Sequence, residues 1–181
     1  VSWWGEATSF VFLIHYSNRC NGRNGVGGWL SCSTPVLSNM GTDKGMPVSC
    51  SGQYIPDSVH GFYESLHEST VLSQNGFGTA GYFGDIRPRG SDISRGGKAS
   101  GSLPVFEDFV TMARKVSQGS NRRGAFAGYL PISHGDFYEW ADFTKEVQDD
   151  VNVGWCWYDS DTEKVESGDK EALARFKRMC K

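Results

Sequence analysis

Apolar residues recur along this chain with two periods, and the elements follow from where each period holds. Behind Asp57, a candidate helix N-cap, Val59, Phe62, Tyr63, Leu66 and Thr70 stand at helical spacing, and Asn75-Gly76 supplies a stop. A second helix is predicted from Pro104 in its first turn. Val105, Phe106, Phe109, Met112, Ala113 and Val116 form its buried stripe, Arg114 and Lys115 complement the dipole of its last turn, and Gly119 ends it. Phe137, Trp140, Ala141 and Thr144 mark a short amphipathic helix. Leu173, Phe176 and Cys180 share one face of another, over residues 169–180. Between these, residues 48–55, 125–130 and 151–158 are short, apolar or alternating, and bounded by turn residues, as strands are. Strands alternating with helices predict an α/β fold with parallel strands. No internal repeat or low-complexity segment interrupts the pattern.

The loops add chemistry to this frame. Gln74-Asn75-Gly76-Phe77-Gly78, the run from Ile86-Arg87 through Gly90-Ser91 to Arg95-Gly96-Gly97, and Ser117-Gln118-Gly119-Ser120-Asn121-Arg122-Arg123-Gly124 are each rich in glycine and carry an amide or a guanidinium. Glycine lets backbone N–H groups approach a ligand, and arginine offers a planar fork to phosphate oxygens. Such loops suit a polyanionic small molecule such as a nucleotide; the plainer alternative is that they are only turns. Asn21-Gly22-Arg23-Asn24-Gly25-Val26-Gly27-Gly28 has a loop composition but lacks the Gly-Lys-Ser/Thr ending of a phosphate loop. Residues 1–30 are otherwise poorly patterned.

Composition narrows the classes. A length of 181 residues fits one domain or a large piece of one, and 38% hydrophobic with 13% aromatic residues supports a packed core. A net charge of -3 gives no general pull toward DNA or a membrane surface, and no apolar run is long enough to span a bilayer. The five cysteines, Cys20, Cys32, Cys50, Cys156 and Cys180, are odd in number and lack CxxC spacing. That argues against a disulfide framework and a zinc site, and for a reducing cytoplasm. The sequence opens on Val1 rather than methionine, read as a processed, spliced or trimmed end.

Six short motifs occur in one order: Thr34-Pro35, Ser49-Cys50, Asp57-Ser58, Ile86-Arg87 with Gly90-Ser91, Ser117-Gln118-Gly119 with Arg122-Arg123-Gly124, and Pro131-Ile132-Ser133-His134. In this order and spacing the chain resembles the large, catalytic subunit of aerobic ribonucleotide reductase, over roughly residues 30–160. The resemblance implies about the first half of a ten-stranded α/β barrel over residues 46–181, preceded over residues 1–45 by a mostly helical or irregular lead-in. It further implies that Cys50 is one of the two thiols oxidised as the 2′-hydroxyl of a ribonucleoside diphosphate is removed; read alone, a free cysteine is most often a small buried hydrophobe. By the same resemblance Thr34, Ser49 and Arg122 contact the substrate. Asp57, Ser58, Arg87, Ile93 and Arg95 form the specificity site for a deoxynucleoside triphosphate or ATP, with Arg89 as a further phosphate partner. Ser117, Gln118, Gly119, Arg122 and Arg123 form the loop that reports effector identity to the substrate pocket. Arg123 departs from a glycine found in some family members. Cys20, Cys32, Cys156 and Cys180 match no catalytic position, and His134 reads as structural.

The family's finger-loop Asn-x-Cys-x-Glu motif has no counterpart in this sequence. The expectation is therefore a fragment, inactive alone, that binds no metal or cofactor itself. It would assemble with chains carrying the rest of the large subunit, with a small radical-generating subunit that contains a metal, and with a second large subunit. A thioredoxin- or glutaredoxin-type reductant would serve it, in the cytoplasm, or in a host's cytoplasm if a phage encodes it. Two alternatives remain open at this point: a stand-alone nucleotide-binding regulatory module, and an inactive relic.

Overall fold

The computed structural model describes residues 36, 39–43, 47–94, 96–118, 122–123, 125–147 and 151–180. In chain order the elements are β1 (Cys50–Tyr54), α1 (Val59–Gln74), β2 (Gly78–Tyr82), α2 (Leu103–Lys115), β3 (Ser117–Gln118), β4 (Arg122–Arg123), β5 (Phe126–Pro131), α3 (Phe137–Val147), β6 (Asn152–Cys156), α4 (Asp159–Glu166) and α5 (Lys170–Met179). Strands β1, β2, β5 and β6 lie in that order in one sheet, every neighbouring pair parallel, with a helix in each crossover. The α/β expectation with parallel strands holds. Strands β3 and β4 form a separate antiparallel ribbon.

The helices cover one face of the sheet. Gln53 of β1 points into α1, its Nε2 donating to the Ser65 carbonyl at 2.9 Å and to the Ser69 hydroxyl. Successive side chains alternate, so Cys50, Gly52 and Tyr54 face the other way. On that second face Tyr54, Tyr82 and Tyr129 stand in register across β1, β2 and β5. Tyr54 and Tyr129 are well exposed there.

Between sheet and helices lies an aromatic core. Phe106 of α2 stacks on Trp140 of α3 with centroids 4.2 Å apart, and Phe109 stacks on Phe126 at 4.8 Å. Phe83, just after β2, meets Phe106, Phe109 and Trp140 edge-on, the geometry the ring quadrupole favours. Gly128 of β5 makes this possible. A methyl at its Cα would sit 2.5 Å from Phe106 Cε2 and 3.1 Å from Trp140 Cζ3. Gly128→Ala is expected to cost about 1–3 kcal/mol through overpacking, read as a lower denaturant midpoint at unchanged slope. Gly52→Ala, with open space at its Cα, serves as the control and should shift stability by less than about 0.5 kcal/mol.

Three expectations are corrected by the packing. The buried face of α1 is Gly61, Ser65, Ser69 and Ser73, while Val59 and Tyr63 are 70% and 59% exposed and Phe62 and Leu66 are half-buried. Small side chains at every fourth position let the helix lie close on the sheet, which turns the apolar stripe sideways. Asp57 does not cap this helix; Ser58 does, accepting from the Gly61 N–H at 3.0 Å. Helix α2 stops at Lys115 rather than at Gly119. Val116 is already extended, and Ser117 and Gln118 pair with Arg123 and Arg122 in the ribbon. Of its expected stripe Phe106, Phe109, Met112 and Ala113 are buried, Val105 and Val116 are half-buried, and Val110 joins the buried face.

Candidate nucleotide-binding site

Beyond the carboxyl ends of β1 and β2, the start of α1, the connection from β2 to α2, and the first turns of α2 enclose a cavity of about 670 Å³. That volume is in the range of small-molecule sites, and the ends of parallel strands are where open α/β sheets bind ligands. Its walls include Phe62, Tyr63, Ile86, Pro104 and Val105, and Asp57, Ser58, Arg87, Ile93 and Asp108 also line it. Among the residues assigned to effector binding by sequence, Asp57, Ser58, Arg87 and Ile93 are thus brought to one place. Arg95 lies outside the described residues.

Asp57 and Arg87 meet directly. Arg87 Nε donates to Asp57 Oδ2 at 2.6 Å, and the guanidinium makes a long 3.4 Å contact to the Asp92 carbonyl. The pair is part-exposed, with 40% of the Arg87 and 27% of the Asp57 side chain open, so it adds little to stability. Its effect is local: it holds the arginine at the cavity with its charge matched by a carboxylate.

The described residues of the β2–α2 connection pair with one another as a ribbon. Gly90 N–H donates to the Ala99 carbonyl at 2.9 Å, Ala99 N–H to the Ser91 carbonyl at 2.8 Å, and Ile93 N–H to the Gly97 carbonyl at 3.2 Å. Gly96 and Gly97 turn its tip with φ of 84° and 104°, values that L side chains rarely adopt. Lys98 and Asp92, paired across this ribbon, also form an ion pair at 2.6 Å. Arg89 is drawn away from the cavity, its Nε bonded to Glu139 at 2.8 Å.

The other predicted groups lie at the opposite ends of the strands. Cys50 opens β1, exposed and unbridged, with its thiol 3.7 Å from the Ser49 hydroxyl. Gly78, its partner in β2, leaves room for that sulfur: a methyl there would touch it at 3.4 Å. The β3–β4 ribbon carries Ser117, Gln118, Arg122 and Arg123 just before β5 begins, and β3 lies against α1. Thr34, Gly119, Cys20 and Cys32 fall outside the described residues. Helix α2, about 20 Å long at ~1.5 Å per residue, therefore starts at the cavity and ends at the ribbon.

Elsewhere on the open sheet face, the Tyr82 and Tyr158 hydroxyls are 3.0 Å apart, and burial followed by this bond pushes the Tyr82 phenol well above its ordinary pKa. Burial also raises the half-buried Cys156 thiol, which keeps it protonated and poorly nucleophilic. His134 is buried and bonded on both ring nitrogens, in keeping with a structural part. Sequence reasoning did not find the apolar walls or Asp108. Phe62 and Tyr63 carried the signal, but at helical spacing they read as core.

Residues 48–177 match the family model described as ribonucleotide reductase, barrel domain. The ribonucleoside-diphosphate reductase large subunit of Arabidopsis thaliana is 37% identical over 120 residues, which are 65% of this chain and 15% of that protein. A vitamin B12-dependent ribonucleoside-diphosphate reductase of Mycobacterium tuberculosis (strain CDC 1551 / Oshkosh) is 36% identical over 105 residues, 58% of this chain and 15% of that protein. Among solved structures, the class Id ribonucleotide reductase alpha subunit of Actinobacillus ureae superposes with a TM-score of 0.74 at 34% identity, covering 92% of this chain and 32% of that one. The chain thus spans a minor part of the relatives it matches.

Proposed function

The chain belongs to the ribonucleotide reductase barrel-domain family, and from that premise we propose that it works as one part of a ribonucleoside-diphosphate reductase large subunit. In this reading its four parallel strands belong to the first half of the catalytic barrel. The tyrosine-bearing face that the helices leave open is covered by the second half of the barrel. Cys50 provides one of the two thiols that become a disulfide as the ribonucleotide loses its 2′-hydroxyl as water. Ser49, Thr34 and Arg122 contact the substrate. The cavity takes a deoxynucleoside triphosphate or ATP, and the β3–β4 ribbon passes its identity toward the substrate.

The observation that carries this reading is the convergence of Asp57 and Ser58 with Arg87 and Ile93, from two separate stretches of sequence, on one ligand-sized cavity. The axial placement supports it as well. Effector groups gather at one end of the parallel strands and Cys50 with the ribbon at the other, and α2 runs between them as a rigid element. The remaining partners are a radical-generating small subunit containing a metal, a second large subunit, and a dithiol protein reductant in the cytoplasm.

The test is reconstitution. Mixed with a polypeptide supplying the rest of the barrel, a radical-generating subunit and a dithiol, the chain should restore reduction of ribonucleoside diphosphates. The rate should depend on which deoxynucleoside triphosphate is added, and omitting the chain should abolish it. Full turnover without the chain, or turnover by the chain alone, would overturn the proposal.

A further inference from the structure

The ribbon that lines the cavity leaves the sheet after β2 and returns at α2, and three consecutive residues between β5 and α3 hold both of its ends. Asp136, 3% exposed, accepts the Arg89 N–H on Oδ1 at 2.8 Å. Its Oδ2 accepts the Ser102 N–H at 2.7 Å and the Ser102 hydroxyl at 2.9 Å. Arg89 lies on the outgoing limb and Ser102 at the N-terminus of α2, so a single carboxylate closes the loop. It also supplies the negative charge that a helix N-terminus favours, where Ser102 makes no side-chain cap of its own.

The neighbours of Asp136 serve the same seat. His134 Nδ1 accepts the Asp136 N–H at 3.1 Å, which places the ring proton on Nε2, where it donates to the Ile86 carbonyl at 2.7 Å. Gly135 lets Pro88 approach; a methyl there would sit 2.6 Å from the Pro88 Cβ. Trp140 Nε1 donates to the Ser102 hydroxyl at 3.0 Å and fixes its rotamer. A buried carboxylate satisfied by neutral donors is a costly way to fill space, since apolar groups of like volume are often as stable. Acceptors aimed at both limbs of a loop are what it contributes beyond packing.

We propose that Asp136 is a positioning residue for effector recognition: by tying Arg89 to Ser102 it sets the shape of the ribbon that presents Ile93 to the cavity. The inference rests on the nucleotide reading given above. Its test separates the two. In the full chain without nucleotide, the Arg89 amide should be protected from hydrogen exchange although the residue is exposed. The Arg89 and Ser102 amide protons should resonate downfield, as charge-assisted bonds make them. Asp136→Asn puts an NH₂ against these donors, and amides of residues 89–102 should then exchange about tenfold faster or more, the loss expected for one charge-assisted hydrogen bond. The amides of β5 should keep their parent rates. Affinity for dATP and dTTP, measured well below the melting temperature, should fall about tenfold, and their affinity ratio should change, which loss of stability alone would not cause. Should Asp136→Asn fail to fold, Ser102→Ala must show the same loop-confined rise, and the parent amides must show the protection. Freely exchanging Arg89 in the parent, or unchanged loop exchange in a folded variant, overturns the clamp. A clamp intact by exchange in a parent that binds neither nucleotide overturns the effector role and the reading beneath it.

Discussion

Replacing Cys50 with serine should abolish multiple turnover of the reconstituted reductase while leaving nucleotide binding at the Asp57–Arg87 cavity nearly unchanged. The substitution is almost isosteric, and Cys50 is exposed at the head of β1 rather than packed in the aromatic core, so the fold should tolerate it. The cavity begins beyond the far end of that strand, about 15 Å away at ~3.3 Å per residue. The chemistry is less forgiving. Removing the 2′-hydroxyl as water takes two electrons, and two thiols give them by joining as a disulfide. A serine oxygen cannot form that bond, so no dithiol could regenerate the site. The measurement pairs steady-state product formation under a dithiol with equilibrium binding of an effector nucleotide. A variant that turns over like the parent would remove Cys50 from the redox chemistry.

How much of this was readable beforehand depends on what each element uses for cohesion. Helix α2 was legible because Phe106, Phe109, Met112 and Ala113 of its buried face stand at helical spacing. Strands β1, β5 and β6 were legible from short apolar runs between turn residues. Strand β2 was not: Gly78-Thr79-Ala80-Gly81-Tyr82 looks like a loop. It is a strand because it lies between β1 and β5, where Gly81 is demanded by close packing; a methyl there would come 2.7 Å from Ile55 Cδ1. Crowding thus replaced the branched residues that betray a strand. Helix α4 was missed because Val165 is its only aliphatic residue. It folds against Tyr158, whose N–H donates to the buried Asp161 carboxylate at 3.1 Å.

The candidate site divides in the same way. Motif order picked out Asp57, Ser58 and Arg87, the resemblance added Ile93, and the fold gathers all four at one cavity. Motif order could not say that Asp57 and Arg87 bond each other, nor that Asp136 ties residues many positions upstream. Both depend on backbone paths through β2 and α2 that no local pattern encodes. Asp136 in particular reads as an ordinary turn aspartate until the Arg89 and Ser102 amides are seen pointing at it.

Arg87→Ala should weaken binding of every specificity effector by a similar factor, about 10- to 100-fold. The basis is one charge-assisted contact to a triphosphate, worth roughly 1.5–3 kcal/mol. The structure sharpens this expectation. In the free protein the arginine is matched by Asp57 at 2.6 Å, so its loss leaves a bare carboxylate beside the incoming phosphates. Part of the deficit is then repulsion, which Asp57→Asn in the same chain should relieve. The double variant Asp57→Asn/Arg87→Ala is expected to bind more tightly than Arg87→Ala alone, and the recovered share should shrink as salt rises. Fold stability should barely change, because the pair is partly solvated. Gln118→Ala, on the β3–β4 ribbon, is the contrasting case. Effector affinity should change much less, while the preference for one substrate base over another under each effector should flatten. Equilibrium binding of several deoxynucleoside triphosphates, followed by competing substrates in one reconstituted reaction, measures both. If Arg87→Ala binds effectors as tightly as the parent, the cavity is not where they are held. If Gln118→Ala keeps full base selection, the ribbon does not report which one is bound.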